Sequence, residues 1–223
     1  MTLTAENITR QYFRKSRGSN FFLALKETDL INEPGRLIEV CGRSGSGKST
    51  LLNILAELLT PTTGRVMYDD ADIYAMEDAE RSKFRNLNMG IIPQGQTGLH
   101  SLTVLENVTL PCAMYGEKAP NGRAMELLEQ VGIAELASAY PNELSGGEMR
   151  RLSIACAMLR NPGVILADEP TGDLDDENTH AVLRLLREAA DKGAAVLLVT
   201  HENEAAKYID SVFVMEGGTL RKD

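Results

Sequence analysis

The stretch from Gly42 to Ser49 carries the residue types best suited to hold phosphate. It reads GRSGSGKS and fits the phosphate-loop pattern G-x-x-x-x-G-K-S/T. Glycines let the backbone bend tightly and bring its N–H groups close to phosphate oxygens. Lys48 can reach the β- and γ-phosphates of a nucleotide, and the Ser49 hydroxyl can bind Mg²⁺. The predicted nucleotide-binding residues here are Gly42, Arg43, Ser44, Gly45, Ser46, Gly47, Lys48, Ser49 and Thr50.

Two carboxylates follow an apolar segment later in the chain. The segment Val164–Ala167 leads into Asp168 and Glu169. Taken alone, this pattern is common at solvated strand ends. Downstream of a phosphate loop, Asp168 is suited to the Mg²⁺ shell, and Glu169 lies where a carboxylate can orient and deprotonate water.

A glycine-rich helix start forms a third candidate site. Leu144-Ser-Gly-Gly-Glu148 precedes a helical pattern that runs to Met158, and Ser145 and Glu148 have the spacing of a capping box. A well-capped helix explains the segment. An anion site, made by a serine hydroxyl and bare glycine amides at a positive helix end, explains it equally well.

The intervening pattern supplies elements that can position these residues. Apolar segments at Leu37–Cys41, Val164–Asp168 and residues 195–200 read as buried strands, and the helix predicted over residues 177–191 separates the last two. Strand–helix–strand units of this length imply a parallel sheet with right-handed crossovers. Further predictions are a helix over residues 50–59, a short strand Met89–Ile92, a helical region over residues 103–159 and a final hairpin at Gly217-Gly218.

Composition narrows the class of protein. The chain has 223 residues, a net charge of −9 and three scattered cysteines. The acidic balance argues against a large nucleic-acid-binding surface. No apolar run reaches the length that spans a bilayer, and Met1–Glu6 lacks the features of a signal peptide. The odd cysteine count favours a reducing cytosol.

The order of the three motifs resembles a known family. A phosphate loop, then Leu-Ser-Gly-Gly-Glu, then a strand ending in Asp-Glu is similar to the nucleotide-binding domain of ATP-binding cassette (ABC) transporters. The resemblance covers essentially the whole chain. It implies an α/β fold of the P-loop NTPase class, with a RecA-like core, an N-terminal antiparallel β-subdomain and an inserted α-helical subdomain. The single domain would span residues 1–223, with the core at about 1–94 and 160–223 and the helical subdomain at about 95–159.

The resemblance also implies roles for individual residues. Two such domains pack head to tail, so that Ser145, Gly146 and Gly147 meet the γ-phosphate of the partner's ATP. Further residues that resemble family positions are Gln94, which senses Mg²⁺ and the attacking water, His201, which contacts the γ-phosphate, Asp175, which crosses the dimer interface, and Tyr12, which stacks on adenine. Phe13 competes with Tyr12 for that last role. The implied Mg²⁺ ligands are Ser49, Gln94 and Asp168, and the implied catalytic residues are Glu169, His201 and Gln94.

One segment departs from the family pattern. Residues 95–101 read GQTGLHS, where relatives show more aromatic and apolar residues, and this segment shapes the groove for the membrane partner. The segments Asp168–Asp175, Ser49–Ile54 and Leu102–Val108 resemble one branch, which includes the ATPases of macrolide exporters, lipoprotein-releasing complexes, cell-division transporters and antimicrobial-peptide resistance systems.

We therefore expect the cytoplasmic ATPase subunit of a bacterial ABC transporter, bound peripherally at the inner face of the membrane. Its cofactors would be ATP and Mg²⁺, and its partners a second copy of itself and an integral membrane permease. The alternatives are a soluble ABC ATPase that drives protein or iron–sulfur cluster assembly without a permease, and a non-hydrolysing binding module, which the presence of Glu169 and His201 disfavours.

Overall fold

Two β-sheets organise the computed structural model. It describes residues 1–13, 21–95, 97–172, 174–200 and 202–223, with residue 203 as backbone only. The strands are β1 (Leu3–Phe13), β2 (Phe21–Asn32), β3 (Leu37–Cys41), β4 (Thr63–Tyr68), β5 (Ala71–Asp72), β6 (Met89–Ile92), β7 (Val164–Asp168), β8 (Ala195–Val199), β9 (Ser211–Glu216) and β10 (Thr219–Lys222). The helices are α1 (Lys48–Leu55), α2 (Asp78–Asn88), α3 (Val104–Ala113), α4 (Asn121–Gln130), α5 (Gly146–Met158) and α6 (Asp176–Asp191).

The second sheet is the predicted parallel sheet. Its strand order is β10-β9-β3-β8-β7-β6, and all neighbouring pairs run parallel except the terminal hairpin of β9 and β10. Every residue of β7 and β8 is buried, as expected for central strands with both faces covered. The carboxyl ends of β3, β6 and β7 meet at one edge, which is where parallel α/β sheets bind ligands. The α/β fold predicted from the sequence is confirmed.

The first sheet is antiparallel, in the order β2-β1-β4-β5, and joins the parallel sheet beside the phosphate loop. The Lys26 amide donates to the Gly218 carbonyl at 2.8 Å, which ties β2 to the final hairpin. Tyr12 and Phe22 lie opposite each other in the β1–β2 register, so their side chains share one face of the sheet. The end of this hairpin that holds Tyr12 and Phe22 therefore faces the phosphate loop, with which both side chains line one cavity.

Between β6 and β7 the described residues form helices and turns and contain no strand. The interior of α3, α4 and α5 includes Val108, Leu127 and Leu152, which are fully buried. These side chains belong to the same hydrophobic cluster as Ile92 of β6 and Val196 of β8. The helical part is thus packed directly onto the sheet. Its limits at about residues 95 and 159 stay a prediction.

The first helix ends earlier than the sequence predicts. We expected it to run to Leu59, but α1 ends at Leu55. Glu57 adopts a left-handed conformation with φ of 60°, its amide donates to the Ile54 carbonyl, and the Leu58 amide donates to the Asn53 carbonyl. This bonding pattern is a Schellman motif, usually built on glycine. The expected end was wrong because a Glu residue gives no sequence signal for a left-handed turn.

Candidate functional site

The phosphate loop joins β3 to α1 and needs glycine at two positions for different contacts. Gly42 has φ of 146°, and a methyl group added there would lie 2.2 Å from the Met215 carbonyl oxygen. Gly47 has φ of 116°, and a methyl group there would lie 2.7 Å from the Ala24 carbonyl oxygen. A side chain at either position would force the loop away from β2 or β9. These two glycines let the loop pack against both neighbours.

Lys48 is the first residue of α1 and braces the loop from inside. Its ammonium group donates to the Gly42 carbonyl at 2.7 Å and to the Arg43 carbonyl at 3.2 Å. No side chain caps the amino end of α1, and its first turn holds no acidic residue. The first amide groups of a helix have no intrahelical partner and carry partial positive charge. The loop and helix start therefore present amide groups that are suited to bind an anion.

A cavity of about 680 Å³ opens over this loop. Its lining includes every predicted loop residue from Gly42 to Thr50 except Ser46, together with Tyr12, Gln94, Asp168 and Glu169. Ser46 lies on the far side of the loop, where its amide donates to the Arg43 carbonyl and its carbonyl accepts from the Gly218 amide. Ser46 is thus part of the loop's support, while the other predicted loop residues face the cavity.

Aromatic side chains form one wall of the cavity. Tyr12 and Phe22 both line it, and the Arg10 guanidinium lies 4.7 Å from the centre of the Tyr12 ring. Phe13 is absent from the lining and instead makes an edge-to-face contact with Phe21 at 5.7 Å. Strand alternation places the two neighbours on opposite faces, which favours Tyr12 over Phe13. Sequence analysis missed Phe22 and Arg10. Two features of the sequence could have indicated these residues. They are the aromatic run that opens β2 and the i, i+2 spacing of Arg10 and Tyr12.

Two carboxylates and an amide meet at the ends of β6 and β7. The buried Asp168 accepts a hydrogen bond from the Ser49 side chain, and its pKa is raised above the usual value, mainly by desolvation and further by the charge of Glu169. The Gln94 side-chain nitrogen donates to the Glu169 carboxylate at 3.0 Å. Glu169 has φ of 49°, and its amide donates to the Val199 carbonyl at 2.8 Å. This unusual backbone turns the Glu169 side chain toward the cavity, where it can act on water.

The same edge offers oxygen ligands that fit Mg²⁺. Ser49, Gln94 and Asp168 line both the main cavity and a smaller neighbouring one. Among the described residues, no three His, Cys, Asp or Glu side chains cluster closely enough to hold a metal by themselves. Mg²⁺ in nucleotide sites is usually bound through one or two carboxylates, together with phosphate oxygens and water. The donor set therefore fits a metal that arrives with a nucleotide.

Four of the remaining predicted residues, Ser145, Gly146, Gly147 and Asp175, are not part of this cavity's lining. Ser145 begins α5 with the predicted capping box: its amide donates to the Glu148 carboxylate at 2.6 Å, and its hydroxyl accepts from the Glu148 amide at 3.4 Å. That bonding lowers the pKa of Glu148. Ser145 and Gly146 are exposed, and Gly147 is half-buried. Asp175 caps α6 by accepting from the Asn178 amide at 2.8 Å. His201 lies outside the described residues.

Comparison with known proteins gives relatives over nearly the whole chain. The family model described as ABC transporter matches residues 25–172. The lipoprotein-releasing system ATP-binding protein LolD of Bacteroides thetaiotaomicron is 41% identical over 94% of this chain and 96% of its own length. The macrolide export ATP-binding/permease protein MacB of Chlorobaculum tepidum is 36% identical over 97% of this chain, which corresponds to 33% of MacB.

Two solved structures share the fold closely. The dimeric structure of MJ0796, described as a bacterial ABC transporter cassette, is 34% identical, covers 99% of this chain and 97% of its own, and superposes with a TM-score of 0.92. A dimeric post-hydrolysis state of the same cassette, bound to ADP and inorganic phosphate, is 33% identical over 99% of this chain and 97% of its own, with a TM-score of 0.91.

Proposed function

Because this chain belongs to the ABC transporter family, as an ATP-binding and hydrolysing subunit, we propose that two copies close head to tail around two MgATP and drive a separate membrane permease. Its relatives named LolD and MacB support the proposal that it belongs to the branch that includes lipoprotein-releasing and macrolide-export ATPases. Within the described residues, no helix is long and apolar enough to cross a bilayer. From its family, we propose that the chain works at the cytoplasmic face of the membrane by binding a permease.

One observation carries the dimer proposal. The cavity over the phosphate loop is open, and the glycine-rich start of α5 lies exposed outside it. An exposed helix start with bare glycine amides is an unused anion site. A second copy that turns its Ser145–Gly147 segment toward this cavity would supply the missing side of the site. Dimeric forms are described for the MJ0796 cassette.

Each residue of the site has a distinct role in this proposal. Lys48 and the loop amides bind the phosphates and orient the γ-phosphate, while Tyr12 stacks on the adenine ring. Glu169 takes a proton from the attacking water, and Gln94 orients the Glu169 carboxylate. We also propose His201 as a γ-phosphate contact. Ser49, Gln94 and Asp168 would hold Mg²⁺, which offsets the charge that builds on the phosphate oxygens.

Coupling to the permease requires a surface that moves when the two copies close around ATP. We propose residues 94–101 for this surface, together with a groove of about 400 Å³ to which Arg85, Met114, Tyr115 and Arg160 contribute. Met114 is 70% exposed, and two arginines line the walls. The exposed methionine fits the apolar face of an amphipathic helix, while the two arginines already pair with Glu57 and Glu117 of this chain. Closure drives the permease because ATP binds the closed state more tightly than the open one.

The proposal is tested with Glu169→Gln, which keeps the shape of the side chain and removes the base. With saturating ATP and Mg²⁺, this variant should accumulate as a dimer in light scattering and turn over ATP at least about 100-fold more slowly than wild type. Glu129→Gln changes an exposed carboxylate on α4 and should match wild type in both assays. A Glu169→Gln protein that stays monomeric, with or without the permease, would rule out the closed dimer.

A further inference from the structure

Arg150 is a buried cation that the proposed chemistry leaves without a role. It lies in the second turn of α5, directly after the Ser145–Gly147 segment, and is only 6% exposed. Its guanidinium donates to the Pro93 carbonyl oxygen at 2.8 Å. Taking a charged group out of water is costly unless its hydrogen bonds and charge are compensated. Packing alone does not explain why an arginine occupies this buried position.

The guanidinium contacts the catalytic edge at more than one place. Pro93 is the residue immediately before Gln94, so the bonded carbonyl belongs to the peptide group that Gln94 shares. A methyl group built on Gly172 would lie 3.8 Å from the second guanidinium nitrogen, so Arg150 also lies against the turn that follows Glu169. Its charge acts on Asp168 from the same side. One side chain of α5 therefore meets both segments that bear the hydrolytic residues.

We propose that Arg150 is a positioning residue: it fixes the peptide group before Gln94 and thereby holds the Gln94 side chain against Glu169. The inference rests on the proposed function, because only there does the Gln94–Glu169 pair have a catalytic meaning. Arg150 lies on α5, the helix that would meet the partner's ATP. Movement of α5 would therefore change the contact between Gln94 and Glu169. Arg150 is not part of the lining of the nucleotide cavity and acts through Gln94.

The test is a double-mutant cycle in the full-length protein. Arg150→Met removes both donor and charge but keeps much of the length of the side chain. We expect kcat to fall about tenfold while KM for ATP stays within about twofold, since misplacement of a catalytic group affects turnover more than ground-state binding. Gln94→Ala is measured beside it. If Arg150 acts through Gln94, the double variant should be no slower than Gln94→Ala alone.

Multiplying effects in the double variant would overturn the inference, as would an unchanged kcat or a loss confined to KM. A merely structural role would lower stability without coupling to Gln94. Arg184→Met, at an exposed cation on α6, controls for loss of a charge. Should Arg150→Met fold poorly, Arg150→Lys keeps the charge, loses the planar fork and runs through the same cycle.

The two proposals fail in separable ways. Wild-type hydrolysis by Glu169→Gln would remove the proposed base whatever Arg150 does. A slow Glu169→Gln protein together with a fully active Arg150→Met protein would support the proposed function and refute only the positioning role of Arg150.

Discussion

Gln94 donates a hydrogen bond to the Glu169 carboxylate at 3.0 Å, across the ends of two neighbouring parallel strands. Gln94 follows β6 and Glu169 follows β7, so the sheet itself sets the distance between them. A neutral amide orients the carboxylate without adding or removing charge. The hydrogen bond can thus orient the Glu169 carboxylate, as a general base requires.

Replacing Gln94 with Glu should test this arrangement through pH. Two carboxylates at hydrogen-bond distance cannot easily ionise together, so the new charge should raise the pKa of the base. The acid limb of the kcat/KM profile should then move to higher pH by more than about 1 unit. Gln94→Ala removes the hydrogen bond without adding charge and should move the limb less. If the acid limb moved equally in Gln94→Glu and Gln94→Ala, a charge at position 94 would have no effect on the ionisation of the base.

Lys48→Ala should weaken nucleotide binding rather than only slow turnover. The ammonium group bonds the Gly42 and Arg43 carbonyls, so the variant loses both an internal brace of the loop and a charge for the phosphates. We expect the Kd for a fluorescent ATP analogue to rise at least about tenfold, in line with the loss of a charge-assisted contact. Lys192→Ala, at an exposed lysine on the end of α6, is the matched control. An unaltered titration of Lys48→Ala would contradict the loop's role.

Sequence alone predicted those parts of the fold that local rules determine. The strands Met89–Ile92 and Val164–Asp168 have the expected bounds because both are short apolar segments followed at once by polar residues or proline. The Ser145–Glu148 capping box formed because its partners are three residues apart. Because β6 and β7 are neighbouring parallel strands, Gln94 and Glu169 come together at their carboxyl ends.

Features that depend on distant contacts were beyond the sequence. The end of α1 at Leu55 depends on Glu57, whose side chain faces arginines of α2. The resemblance favoured Tyr12 over Phe13, but only the β1–β2 register shows why Tyr12 and not Phe13 lines the cavity. Arg150 has no local signal, because its hydrogen-bond acceptor is 57 residues away in the chain. These contacts arise from packing between elements, which periodicity does not report.

Gly42→Ala should destabilise the protein even without nucleotide. The added methyl group would meet the Met215 carbonyl oxygen at 2.2 Å, in a backbone conformation with φ of 146°. Moving β9 or the loop to relieve that clash should lower the free energy of unfolding by about 2 to 4 kcal/mol. Gly122→Ala in α4 meets nothing within 4 Å and should be neutral or slightly stabilising. Urea denaturation compares the two, and equal stability would show that the loop can yield at Gly42.

Glu57 gives the fold a carboxylate that titrates near neutrality. Its side chain is fully buried at the end of α1, 3.4 Å from the Arg85 guanidinium and 3.8 Å from that of Arg81. Burial raises the pKa of both Tyr68 and Tyr74, and the nearby charge of Glu57 raises each further. Burial raises the pKa of Glu57 from 4.5 to about 7, although both arginines act in the opposite direction.

Glu57→Gln should therefore change how stability depends on pH. Between pH 4.5 and 7 the folded protein holds a proton on Glu57 that the unfolded chain releases, so wild-type stability declines as pH rises through this window. The amide cannot ionise, and the variant should gain on the order of 2 kcal/mol relative to wild type between pH 5 and 8, with little further change above. Denaturant unfolding across this range measures the difference, with Glu129→Gln as the exposed control, for which the difference should stay flat. A constant offset between wild type and Glu57→Gln at every pH would show that Glu57 is already ionised at pH 5 and that its arginines outweigh its burial.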